Sequence, residues 1–123
     1  MTDEQIHQLF KAVDRADKTA LIKAFDEDIV LIFGNQDPVE GRDSVVETFG
    51  STSANFDAIH HDIHAIWTGS WELGGVRSVE CTANYTKKDG NTVSMPVTST
   101  LRFNEKDLVA KYQIFMNASP AFA

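Results

Sequence analysis

Val76 to Phe103 reads VRSVECTANYTKKDGNTVSMPVTSTLRF, two runs of alternating apolar and polar residues joined by Lys87–Asn91 with Asp89-Gly90 at its centre. An Asp-Gly pair between two period-two runs predicts a β-hairpin. In the second run Val93, Met95, Val97, Ser99, Leu101 and Phe103 share one face; Ser94, Pro96, Thr98, Thr100 and Arg102 share the other. The first run puts Val79, Cys81, Ala83 and Tyr85 inside and Ser78, Glu80, Thr82, Asn84 and Thr86 outside, although Val76 and Arg77 break the alternation at its start. Two neighbouring strands therefore agree on which face is buried.

Two further strands extend this hairpin. Ala58–Thr68 offers Ile59, His61, Ile63, Ala65 and Trp67 as its inner set, and Leu108–Asn117 offers Leu108, Ala110, Tyr112, Ile114 and Met116. The connections expected are Thr68–Gly75, with its Gly-Gly pair, and Asn104–Asp107. Upstream the period changes from 2 to 3.6. Ile6, Leu9, Phe10, Val13 and Ala16 form one helical stripe, leaving His7, Gln8, Lys11, Asp14 and Arg15 for water. Asp17 is placed to cap a second helix from Lys18 to Phe25, with Leu21, Ile22 and Phe25 as core residues, and Asp26-Glu27-Asp28 reads as its solvated end. Ile29–Phe33 reads as a strand covered on both faces, Gly34–Pro38 as a turn, and Ser44-x-x-Glu47 as a capping box opening a third helix from about Asp43 toward Ser51. The order is helix, helix, strand, helix, four antiparallel strands: an α+β layout in a single domain, residues 1–123.

Composition bounds the function. Eleven basic against 18 acidic side chains leave a net charge of −7, which disfavours nucleic acid and an anionic membrane surface as partners. Residues 1–50 carry 5 basic and 11 acidic groups, so the acidity belongs to the helices and turns of the first part. With Cys81 as the one cysteine, no internal disulfide or thiolate cluster can form, and no cofactor is expected. Met1-Thr-Asp-Glu-Gln5 lacks a basic and apolar leader pattern, and the apolar run Ile29–Phe33 is far too short for a membrane span, so a soluble, cytoplasmic protein is expected.

Element order, length and local motifs together resemble the nuclear transport factor 2-like superfamily, which includes SnoaL-like polyketide cyclases, ketosteroid isomerases and limonene epoxide hydrolases. The resemblance is carried by Asp14-x-x-Asp17 followed by Leu21–Phe25 and Asp28, by Gly41–Phe49, and by Leu101-Arg-Phe-Asn-Glu105 leading to Phe115-Met-Asn117. It implies a cone, in which a curved, mostly antiparallel sheet wraps the N-terminal helix, with a pocket at the wide end. It also implies a homodimer through the outer face of the sheet. The chemistry of the isomerase branch is not carried over. Phe33 stands nearest the position of its general-base Asp, Leu9 or Phe10 at its Tyr, and Ser99 at its second oxyanion donor. The acids that the cyclase and epoxide-hydrolase branches project inward are absent from Tyr112, Ile114 and Met116, and Asn117 has the opposite parity.

For function, His61 is the candidate acid–base residue, an imidazole on an apolar face with Tyr85, Ser99 or Tyr112 to orient a ligand. Phe33, Trp67, Tyr85, Ser99, Tyr112, Ile114 and Met116 are the candidate pocket wall. An ordinary core, with each polar atom bonded to backbone, is the competing reading of the same residues. His60, Asp62 and His64 share a face, but same-face residues sit about 6.5–7 Å apart along a strand, too far to converge on one ion, so no metal site is expected. Cys81, inward and without a basic activator, reads as packing; Trp71 and Leu73 fall in a connection that could cap a pocket mouth. Two functions stay open: a small hydrophobic molecule bound in a nearly uncharged pocket, with or without isomerase, cyclase or hydrolase turnover, or a non-catalytic dimeric interaction module.

Overall fold

The structure is a computed structural model, described here for residues 1–122. It contains α1 (Asp3–Arg15), α2 (Lys18–Ala24), β1 (Phe25–Phe33), β2 (Val39–Glu40), α3 (Arg42–Ala54), β3 (Ala58–Trp71), β4 (Gly74–Thr86), β5 (Thr92–Phe103), β6 (Val109–Phe115) and a final 3-10 turn, Ser119–Ala121. The strands form one curved, unclosed sheet in the order β2-β1-β6-β5-β4-β3. All neighbours are antiparallel except β1 and β6, which run parallel.

Apolar periodicity places α1 on the concave face of this sheet. Ile6, Leu9, Phe10 and Val13 are buried there, and each such side chain contributes about 1.5–3 kcal/mol by leaving water. Thr2 caps the helix through a capping box, its hydroxyl accepting from the Gln5 N–H while the Gln5 side chain accepts from the Thr2 N–H. At the other end Ala16 turns into the left-handed region at φ 49°, and Asp17 caps α2 by accepting from the Ala20 N–H, as its sequence predicts. Beneath the helices Tyr112 forms the hub of an aromatic cluster, its ring 5.4 Å from Phe49, 6.2 Å from Phe25 and 6.4 Å from Phe10.

Several sequence expectations are corrected. Phe25 opens β1 instead of closing α2, and Asp26–Asp28 belongs to the strand, where the Asp26 carboxylate accepts from the Asp28 N–H and from Asn104 Nδ2. Those two bonds, the backbone one first, hold its carboxyl below the usual range. Ser44 does not cap α3. Gly41 precedes the helix at φ 93°, a conformation open to glycine, with no side-chain cap, and the helix runs on to Ala54. The β3–β4 connection is only Glu72-Leu73, because Trp71 pairs with Gly74. Gly74 is required there: a Cβ would lie 2.8 Å from the Phe103 carbonyl oxygen, which also accepts from Trp71 Nε1.

Two bulges change which residues face inward. In β3, Ile63 pairs with Cys81 and Ala65 with Glu80, leaving His64 without an opposite residue and reversing the alternation after it. Ile66 consequently packs against the core and Trp67 turns outward, 61% exposed, with its Nε1 donating to Glu80. Trp67 and Ala65 are thus removed from the expected inner set. In β6, Arg102 pairs with Lys111 and Phe103 with Val109, so Ala110 bulges and Val109 is buried in place of Leu108 and Ala110. β4 and β5 keep the alternation their sequences predict, with Val79, Cys81, Ala83, Tyr85, Met95, Val97, Ser99, Leu101 and Phe103 all buried.

Candidate functional site

Consecutive residues of β3 point to opposite faces, and because β3 is the edge strand beside α1, both His60 and His61 come near one carboxylate of that helix. His61 turns inward. Its Nδ1 lies 2.5 Å from Asp14 Oδ1, and its backbone N–H donates to Asp14 Oδ2 at 3.1 Å. Both side chains are only 10% exposed. A carboxylate oxygen accepts, so the hydrogen of this bond belongs on Nδ1, and Nε2 is the ring nitrogen that Asp14 leaves unengaged. The Phe10 ring meets the imidazole edge-on, with centroids 5.5 Å apart, and completes its support.

Asp14 is the residue the sequence reading left in water. It follows Phe10 by four residues and Ile6 by eight, so it lies along the margin of the buried stripe, and that spacing was the available signal. The opposite strand position could not be read from spacing alone, because a contact across 47 residues depends on how α1 seats on the sheet.

The other candidate residues divide into groups. Ser99 and Tyr112 are brought together on adjacent strands, hydrogen-bonded to each other and each 1% exposed; burial pushes the Tyr112 hydroxyl well above its ordinary value. Tyr85 is buried against Phe56, ring centroids 4.7 Å apart, and burial raises its hydroxyl too. Phe33 and Ile114 pair across β1 and β6, and Met116 packs half-buried just beyond the strand end. His61 hydrogen-bonds to none of Tyr85, Ser99 or Tyr112; Phe10 packs against both His61 and Tyr112. Cys81 is buried and its thiol is pushed up to about 12 by desolvation, which keeps it protonated at neutral pH.

On the outer face His60 Nε2 bonds to Asp62 Oδ1 at 2.8 Å, Asn84 Nδ2 donates to Asp62 Oδ2 at 3.0 Å, and His64 Nε2 lies 2.7 Å from Thr82 Oγ1. The Asn84 bond first, then His60, hold the Asp62 carboxyl below its ordinary value. Asp62 is thus shared by His60 and Asn84 while His64 is engaged by Thr82, and among the described residues no group of three or more His, Cys, Asp or Glu is arranged to hold a metal ion. No helix among those residues is long and apolar enough to cross a membrane.

Among the grooves on the helical side of the described residues, two border the α1–α3 region. One, about 700 Å³, runs between the α1–α2 junction and α3, floored by Ile22, Val46, Gly50 and Ala54. The other, about 550 Å³, lies beside the His61–Asp14 pair, with Asp14 and Ile59 in its lining.

A family described as SnoaL-like domain matches residues 6–112 of the chain. No curated protein matches it significantly. Among solved structures, an NTF2-like protein of unknown function from Burkholderia pseudomallei has a TM-score of 0.80 at 13% identity, covering 99% of this chain and 96% of its own. The epoxide hydrolase/cyclase-like enzyme SalBIII, described with pyran ring formation in the polyether salinomycin, has a TM-score of 0.78 at 18% identity, over 97% of this chain and 96% of its own. A hypothetical protein with a ketosteroid isomerase-like fold from Catenulispora acidiphila, in complex with trimethylamine, has a TM-score of 0.76 at 17% identity, over 94% of this chain and 86% of its own. At these identities the likeness establishes the fold.

Proposed function

Because this chain belongs to the SnoaL-like domain family, we propose that it binds a small, mainly apolar molecule against the concave face of its sheet and uses His61, oriented by Asp14, as the acid–base group. The observation that carries this reading is the two-point hold of Asp14 on His61 through Nδ1 and the backbone N–H. A carboxylate in that position fixes the ring and its tautomer, and stabilises the imidazolium formed when Nε2 takes a proton from a ligand. Returning that proton elsewhere on the ligand gives isomerisation or ring closure; taking it from water gives hydrolysis. Phe33, Tyr85, Ser99, Tyr112, Ile114 and Met116 are the wall of this reading; they pack in or against the core, line neither groove, and bring three hydroxyls, Ser99 and Tyr112 paired to each other and Tyr85 held in apolar surroundings. The single cysteine, buried, fits a reducing cytoplasmic setting.

The second reading, a non-catalytic module that associates through the outer face of the sheet, is favoured by the exposure of Trp67 at 61% and Phe115 at 51%. Native mass spectrometry against a panel of small apolar molecules, with wild type and His61→Ala compared for binding and turnover, tests the choice. Binding to the wild type, with turnover lost in a folded His61→Ala, is the expected result. Turnover unchanged by the substitution removes His61 from the mechanism, and a panel without a binder leaves the association module.

A further inference from the structure

The groove beside His61 and Asp14 lies between α1, the end of α3 and the start of β3, and its volume of about 550 Å³ is that of a small-molecule site. Lys11, Arg15, Asp14 and Asp57 bring two charges of each sign to it, with His60 beside them. The acids are already engaged. Asp14 holds His61, with His60 Nδ1 a further 3.7 Å from its Oδ2, and Asp57 pairs with Lys88 at 3.3 Å. Lys11 and Arg15 stand one turn apart on the exposed side of α1, and among the described residues neither has a carboxylate within ion-pair distance. Arg15 gains from the helix dipole in the last turn of α1, and among the described residues its guanidinium has no ion-pair partner. The Ser53 hydroxyl adds a donor from α3, while Ala58 and Ile59 make the opposite side apolar, and Ile59 also packs against the core on the inner face that carries His61. The groove thus combines two cations that have no ion-pair partner among the described residues with an apolar side at Ala58 and Ile59, and Asp14 in the same lining is the residue that holds His61.

Resting on the reading of His61 as the acid–base group for an apolar ligand, we infer that this ligand carries a carboxylate, held by Lys11 and Arg15, with its apolar body passing over Ile59 toward His61. A monoanion fits better than a phosphate dianion, because the two engaged carboxylates in the same groove, on a chain of net charge −7, repel a second negative charge. Arginine and lysine together offer a forked and a point donor to the carboxylate oxygens.

Isothermal titration with octanoate and with 1-octanol separates the head group from the tail. Octanoate is expected to bind at least about tenfold more tightly than 1-octanol. The advantage should vanish in the double variant Lys11→Gln/Arg15→Gln and shrink in about 0.5 M salt, where an exposed charge contact is screened. It should persist in Lys106→Gln, a control in the β5–β6 turn. Both groove residues are exposed and unpaired, so the double variant should melt with the wild type. Equal affinity for the two probes, or an advantage that survives the double variant, overturns the carboxylate inference and leaves the apolar reading of His61 standing. Failure of octanoate while members of the apolar panel bind overturns it equally; failure of the whole panel brings down the underlying reading with it.

Discussion

The two halves of β3 on either side of His64 obey the same alternation and end with opposite outcomes. Before the bulge, Ile59, His61 and Ile63 face the helices, and His61 meets Asp14. After it, Ile66 faces in while Trp67, the bulkiest apolar residue of the strand's second half within the expected inner set, faces out. Hydrophobicity does not decide the second half. Pairing register does, because one extra residue sends every later side chain to the other face, and the Trp67 indole is retained outside by its bond to Glu80. A strand face is therefore a property of the pair of strands, and a bulge near a site decides which groups enter it.

The strongest way to break this comparison is Ile66→Asp. The register puts residue 66 opposite the buried Val79, so the substitution sets an unpaired carboxylate against the core and is expected to cost about 3–4 kcal/mol, or to abolish a cooperative urea transition. Wild-type stability in this variant would mean that residue 66 does not face inward. Next in size is Asp14→Ala, which strands the His61 backbone N–H and Nδ1–H in a site only 10% exposed. Urea denaturation should report a loss of about 2–3 kcal/mol, with Asp14→Asn recovering part of it because the amide oxygen still accepts one bond. An unchanged midpoint in Asp14→Ala would show that the pair contributes no stability and is kept for function alone. The smallest effect belongs to the outer half: Trp67→Ala should change monomer stability by under about 1 kcal/mol, and Trp67 fluorescence should be quenched readily by acrylamide. A larger loss that grows with protein concentration in the wild type would locate Trp67 in a contact between subunits.

Legibility followed the range of the interaction. Hairpin and cap signals act within a few residues, and so the 87–91 turn, the Asp17 cap and the inner faces of β4 and β5 were readable from their own spacing. The Ser44 capping pattern misled because Gly41 already begins the helix three residues earlier, showing that a local motif is only an option until the chain around it takes a conformation. His61 was readable as an inward imidazole, and Asp14 was not readable as its partner. An aspartate on the margin of an amphipathic stripe looks solvated until a second element covers it.

By itself the sequence determined the order of the three helices and the five longer strands, though not the short β2, together with the α+β class, the stripe of α1 and the buried faces of the central hairpin, since periodicity and turn chemistry are set by neighbours along the chain. The tertiary structure decided the parallel pairing of β1 with β6, the two bulges, the exposure of Trp67 and the meeting of Asp14 with His61. Each of these depends on contacts between distant segments, whose register and approach are fixed only when the elements pack together and backbone hydrogen bonds and buried surface are satisfied at once.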